Sequence, residues 1–271
     1  MRYPVSPIVM CVASLALAAA SSEALANHSW GGYHWARTSN PFTVRLGDNV
    51  SSAWDQYLNT ASSDWSGSAV LDTVVAPGQA TNKQCRPTSG KVQVCNATYG
   101  NNGWLGVAQI WISGLHITQG SVKLNDTYFN TATYNSPAWR HLVTCQEVGH
   151  TFGLDHQDTN FSNTNLGTCM DYTNNPLGPP SNEQPNKHDY DELVTIYSHL
   201  DSFTTLYGAG ALAPMLPGIS DVPLDTPREW GRLVRSTHNG RTEVYERDLG
   251  FGYKAFTFVI WADDDPHHRV Q

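Results

Sequence analysis

Apolar residues recur at helical spacing in three stretches of this chain and fall into short β-favouring runs through much of the rest. The first helical stretch runs from Val50 to Trp65, where Val50, Trp54, Tyr57, Leu58, Ala61 and Trp65 share a face. The second spans about Pro137 to Phe152; Ser136 can cap it, and proline is tolerated at a first helical position. A third begins at Asp189, which with Glu192 reads as a capping box, and packs through Tyr190, Leu193, Val194, Tyr197 and Leu200. Strand-like runs at 33–36, 42–45, 69–75, 91–94, 105–112 and 116–124 surround the first helix, with Gly and Asn clusters between several of them. Past an Ala-, Gly- and Pro-rich segment at 208–227, runs at 230–235 and 242–246 flank Asn239-Gly240, a hairpin signal, and 254–261 could add a third strand. The pattern predicts an α+β fold with a small C-terminal β-hairpin extension. That extension is expected to dock on the rest, because so few strands are only marginally stable alone.

The first 26 residues stand apart from this pattern. Arg2, the apolar run from Ile8 to Ala20 and the small-residue site Ala24-Leu25-Ala26 read as a removable export signal. The run is short of the roughly 20 residues that span a bilayer, and no later stretch is long and apolar enough. The sequence therefore divides into a signal (1–26), a main domain (27–207), a linker (208–227) and a β extension (228–271), in a protein secreted to an extracellular or periplasmic space. Formal net charge is -8, and it stays there when Arg2 and Glu23 leave together. An acidic chain with no basic run argues against nucleic acid as a partner. Cys11 leaves with the signal, so four of five cysteines remain, and in an oxidising compartment two disulfides are the default. No Cys-x-x-Cys pair supports a zinc–cysteine site. Several sequons occur, including those at Asn49, Asn96, Asn125 and Asn160. The loop from His156 to Cys169 reads as a solvated connection, and the tail from Asp263 to His268 as a frayed terminus.

Candidate chemistry concentrates between Cys145 and Tyr172. At about 100° per residue, Trp139, Leu142, Val143, Gln146 and His150 fall on one stripe of the second helix, so two polar groups lie in line with an apolar face. Residues four apart project side by side. Gln146 and His150 can thus aim ligand atoms at one metal ion, with Glu147 flanking it. Gly153 lets the chain leave the helix, and the turn can swing His156 back as a further ligand. Alone, His150 would read as a hydrogen-bonded core histidine and Met170 as core filler. Together with Glu147, Gly153 and His156 they point to a site. His141 lies about 180° round the helix from His150, and His188 could arrive only if the proline-rich loop folded back.

The run from Gln146 to His156, followed by Cys169-Met170-Asp171-Tyr172, resembles the metzincin zinc-peptidase motif His-Glu-x-x-His-x-x-Gly-x-x-His with its Met-turn. Gln146 stands where that family has its first histidine. The resemblance implies a twisted mixed sheet above the active-site helix, a Met-turn at Met170 and a closing helix similar to that of matrixins, over about 30–206. It implies Zn²⁺ held by His150 and His156, with the Gln146 side-chain oxygen as third ligand, and Glu147 as general base. Tyr172 resembles the astacin and serralysin turn, where a tyrosine approaches the metal and helps bind the developing oxyanion. An amide oxygen is a weaker donor than imidazole, so the metal should exchange readily. Of three possible cysteine pairings, Cys85–Cys95 with Cys145–Cys169 is favoured, since the latter would tie the helix to the Met-turn. The function implied is a secreted, monomeric zinc endopeptidase acting on a protein or peptide held in extended form along Leu105–Ile112. The alternative is a metzincin-like binding module whose weak third ligand leaves the site empty or inactive.

Overall fold

The computed structural model describes residues 28–79, 83–208, 218–219, 222–237 and 241–262, together with Met1. Residues 2–27, largely the stretch read from sequence as an export signal, Asn239-Gly240, expected to form a hairpin turn, the tail from Asp263 and much of the segment at 208–227 lie outside the described residues.

One mixed sheet dominates. Its strands are β1 (His34–Trp35), β2 (Phe42–Asn49), β3 (Leu71–Pro77), β4 (Lys91–Ala97), β5 (Trp104–Ser113), β6 (His116–Asn125), β7 (Arg232–Thr237), β8 (Thr242–Gly250) and β9 (Tyr253–Trp261). They lie in the order β3-β2-β4-β6-β5-β9-β8-β7, with β1 on β6. The β2–β3, β2–β4, β4–β6 and β1–β6 pairs are parallel, and the remainder, from β6 through β5 to β7, are antiparallel. Helices are few: α1 (Asp55–Trp65), α2 (Asp126–Phe129), α3 (Pro137–His150) and α4 (Lys187–Ile196). The α+β reading holds.

Alternation along β5 and β9 explains why the chain builds two cores. Ala108, Ile110 and Ile112 of β5, with Phe256, Phe258 and Ile260 of β9, face the helices and join Trp65, Leu142, Val148 and Phe152 in the main core. Val107 and Trp111, with Val259 and Trp261, face the other way onto Trp230, Tyr245 and Leu224. The C-terminal strands therefore extend the sheet and cover a second apolar layer. The Trp65 indole N–H donates to the Cys145 carbonyl at 3.0 Å, and disulfides join Cys85 to Cys95 and Cys145 to Cys169, the pairing favoured from sequence.

Three details differ from the sequence reading. The first helix starts at Asp55, five residues later than its apolar spacing suggests. The last helix is capped by Asn186, whose side chain accepts from the His188 and Asp189 N–H groups while Asp189 accepts from Asn186 in return. Asp189 and Glu192, expected to form that box, are instead buried and bonded to the His28 ring and backbone N–H, and Val194 and Leu200 face solvent rather than the core. Third, the strand expected to receive an extended substrate has no free edge: β6 pairs with one side of β5 and β9 with the other. Of these four sequons, Asn49, Asn96 and Asn125 are buried and hydrogen-bonded, whereas Asn160 is exposed. Among the described residues no helix is long and apolar enough to cross a membrane.

Candidate metal and catalytic site

Helix α3 carries the site because both of its ends are fixed. Ser136 accepts from the Trp139 N–H at 3.3 Å with Pro137 at the first position, and the helix closes at His150. Gly153 then adopts φ +90, and a Cβ there would lie 2.0 Å from the Tyr33 carbonyl oxygen, so both conformation and space demand glycine. The turn brings His156 back to His150, with the two Nε2 atoms 3.1 Å apart. Met170 lies beneath the helix: a Cβ on Gly149 would stand 2.7 Å from its Sδ.

Hydrogen bonding engages the far atom of each predicted ligand and turns the near atoms toward one another. His150 Nδ1 lies 2.9 Å from the Leu154 carbonyl, which can only accept, so Nδ1 carries the proton and Nε2 keeps a lone pair. His156 Nδ1 faces the Tyr172 hydroxyl at 2.9 Å and the Asp155 carboxylate at 3.4 Å, and its Nε2 lies against His150 Nε2, a contact that needs a proton or a metal ion between the two nitrogens. The Gln146 amide donates to the Cys169 carbonyl at 2.8 Å while its Oε1, fully buried, has no partner. Glu147 Oε2 is likewise buried without one. Orphaned acceptors of this kind are costly unless something positive or protonic meets them. The donor set, two neutral imidazoles and an amide oxygen beside a carboxylate, suits Zn²⁺.

Burial, and then the neighbouring His156, holds His150 well below the ordinary imidazole range; burial also lowers His156 against the pull of Asp155. Neutral imidazole is the form that ligates a metal. Burial pushes Glu147 the other way, well above the usual carboxylate range, with a backbone bond from Ala108 only partly opposing it. These signs conflict in metal-free protein. The depressed imidazoles contribute stability that is present above about pH 6.5 and lost as pH falls through their folded values; Glu147 contributes stability that is full below about pH 4.3 and lost as pH rises. In metal-free Glu147→Gln protein only the imidazole effect remains, so its melting temperature should fall more steeply than wild type's between about pH 7 and pH 5. Thermal melts in chelator test this, and superimposable pH profiles for the two proteins would contradict the burial of the carboxyl.

Several groups at the site had no signal in the sequence. Phe258 of β9 stacks flat on the His150 ring, with centroids 4.4 Å apart and planes 9° from parallel. Arg235 of β7 grips Asp155 with both guanidinium N–H groups, and its charge holds that carboxyl far below its usual range although burial pulls upward. Thr242 bonds the Tyr172 side chain, which also stacks on Phe161 at 4.8 Å. Gln146, Glu147, His150 and Tyr172 are each no more than 2% exposed. One clue was present: Gly106, in the middle of an apolar strand, marks a close approach, for a Cβ there would sit 2.7 Å from Glu147 Oε1.

No family model matches this chain, and no curated protein matches it. Among solved structures it is similar to high choriolytic enzyme 1, a hatching enzyme zinc-protease from the medaka fish Oryzias latipes. The identity is 14% and the TM-score 0.34, over 61% of this chain and 94% of that one. A likeness this faint carries no weight for function, which rests on the residues themselves.

Proposed function

We propose that this chain is an exported zinc-dependent endopeptidase of metzincin type whose site is shielded by its own C-terminal strands. The observation that carries the reading is the pair of buried acceptors without a partner on α3, Gln146 Oε1 and Glu147 Oε2, beside the facing Nε2 atoms of His150 and His156. Gln146, His150 and His156 would hold Zn²⁺, which when bound supplies Lewis acidity and a water acidified toward neutrality. Glu147 takes the proton of the attacking water and returns it to the leaving amine. Tyr172 donates its hydroxyl proton in a hydrogen bond to the oxyanion that develops on the scissile carbonyl. Asp155, 3.4 Å from His156 Nδ1, orients that ring. The substrate, a protein or peptide, enters when Phe258 and Arg235 withdraw, since β5 offers it no free edge in the shielded state.

A titration of three proteins tests the ligand set. Gln146→Ala should lower zinc affinity about tenfold or more, a loss of about 1.4 kcal/mol per decade. Gln146→His should raise it, because an imidazole there keeps an N–H for the Cys169 carbonyl and offers a stronger donor. Equal affinity across all three would remove Gln146 from the site. If none binds zinc through His150 and His156 at micromolar metal, the chain is a metzincin-like binding module and not an enzyme.

A further inference from the structure

A second cluster of histidine and carboxylate side chains lies beside β1, and neither the peptidase reading nor the α3 motif involves it. Parallel pairing of β1 with β6 sets His34 directly beside His116. The chain leaving α4 then runs along the same place: the Asp201 N–H donates to the Arg37 carbonyl at 2.9 Å, and Thr205 N–H to Ala36. This brings His199 and Asp201 onto the two histidines. His34, His199 and Asp201 each place a ligand atom within 4.8 Å of the other two.

We propose that His34, His199 and Asp201 form a zinc site that fastens the N-terminal strand to the segment after α4, with His116 bonded to the same Asp201 oxygen as an outer partner. Four donors at zinc bonding distance in a tetrahedron stand roughly 3.3–3.6 Å from one another. Here His34 Nε2 and His199 Nε2 are 3.1 Å apart, and Asp201 Oδ1 lies 3.2, 3.6 and 3.9 Å from the Nε2 atoms of His116, His34 and His199. The protonation pattern points the same way. His34 Nδ1 sits 2.8 Å from the Gly32 carbonyl and must carry the proton, so its Nε2 lone pair is aimed into a space shared with a carboxylate oxygen. Without metal, the Nε2–H groups of His199 and His116 can meet these two acceptors, respectively; a metal cation would replace the His199 proton. Arg37 does not fill that place: its Nη1 takes Asp201 Oδ2 at 3.0 Å and leaves Oδ1 to the cluster. The Gly32 carbonyl and Arg37 act as the outer partners that orient ligands in built metal sites. Three protein ligands leave the fourth position of a tetrahedral zinc to water on the exposed side of the cluster. The His199 side chain, 51% exposed, gives the ion a way in.

Metal counting on the full chain decides the matter. Elemental analysis after zinc loading and desalting should give one zinc more in wild type than in His199→Ala, whose half-exposed side chain can be removed without disturbing the core. His150→Ala/His156→Ala protein should keep one zinc, and adding His199→Ala to it should leave none. Cobalt loaded into the His150→Ala/His156→Ala protein should give the intense visible bands of a tetrahedral site, absent when His199 is also replaced. Should the protein lacking His150 and His156 fail to fold, the comparison of wild type with His199→Ala remains. Equal zinc in those two proteins, or protection of the cluster by protons alone with no zinc bound at micromolar metal, overturns the proposal. Because this count does not depend on hydrolysis, a failed peptidase reading would leave it intact.

Discussion

Glu147→Gln should lower peptide hydrolysis by about 10²-fold or more, the usual scale for a lost general base, while zinc content stays unchanged. The substitution is nearly isosteric. Its amide oxygen can keep the bond from the Ala108 backbone, and the space left by Gly106 still accommodates it. What disappears is the capacity to take a proton from water, so the loss belongs in kcat rather than in KM. Glu147 is not counted among the ligands, and equilibrium zinc affinity should match wild type within a factor of about two. Unchanged turnover would eliminate the proposed mechanism even with zinc bound; loss of zinc along with turnover would instead make Glu147 a ligand and leave the site without a base.

The parts of this molecule that local chemistry governs were legible, and those that depend on which strand meets which were not. Helix α3 could be placed because Ser136, Pro137 and Gly153 act within a few residues of their own positions. The cap of α4 was missed because two boxes overlap at a spacing of three, Asn186 with Asp189 and Asp189 with Glu192. The choice between them is made by His28, far off in sequence, which draws both carboxylates inward. For β5 the error was avoidable. Trp104 to Ser113 is almost continuously apolar, the mark of a strand covered on both faces and held inside a sheet rather than at a substrate-receiving edge. The His34, His116, His199 and Asp201 group left no spacing signature, since β1, β6 and the segment after α4 are brought together only by the parallel β1–β6 pairing and the Arg37 contacts.

Phe258→Ala and Arg235→Ala should each speed zinc exchange at the α3 site by tenfold or more and raise peptide hydrolysis together with it. From sequence the amide ligand suggested a readily exchanging metal, and at equilibrium it still weakens binding. Kinetics is another matter, because the Phe258 ring lies on His150 and the Arg235–Asp155 pair spans the turn carrying His156. Removing the ring opens space directly above His150 without undoing the β5–β9 ladder. Removing the guanidinium leaves Asp155 buried without its cation, a loss of about 2–4 kcal/mol after allowing for the partial exposure of Arg235, and so frees β7 from the turn. If the shielded state dominates, activity scales with the uncovered fraction, and each 1.4 kcal/mol taken from the shield is worth about tenfold. Uncovering also hydrates Glu147, which lowers the carboxyl toward its ordinary range and makes it a competent base. Exchange is read by transfer of zinc to a coloured chelator and hydrolysis with a quenched peptide, both well below each variant's melting temperature, since Phe258→Ala alone costs about 3–5 kcal/mol of stability. Faster exchange with no gain in hydrolysis would show that the strands shield the metal but do not limit catalysis. No change in either, in two folded variants that break the cover by different means, would make β7–β9 a permanent wall of the site and remove shielding from the account of its function.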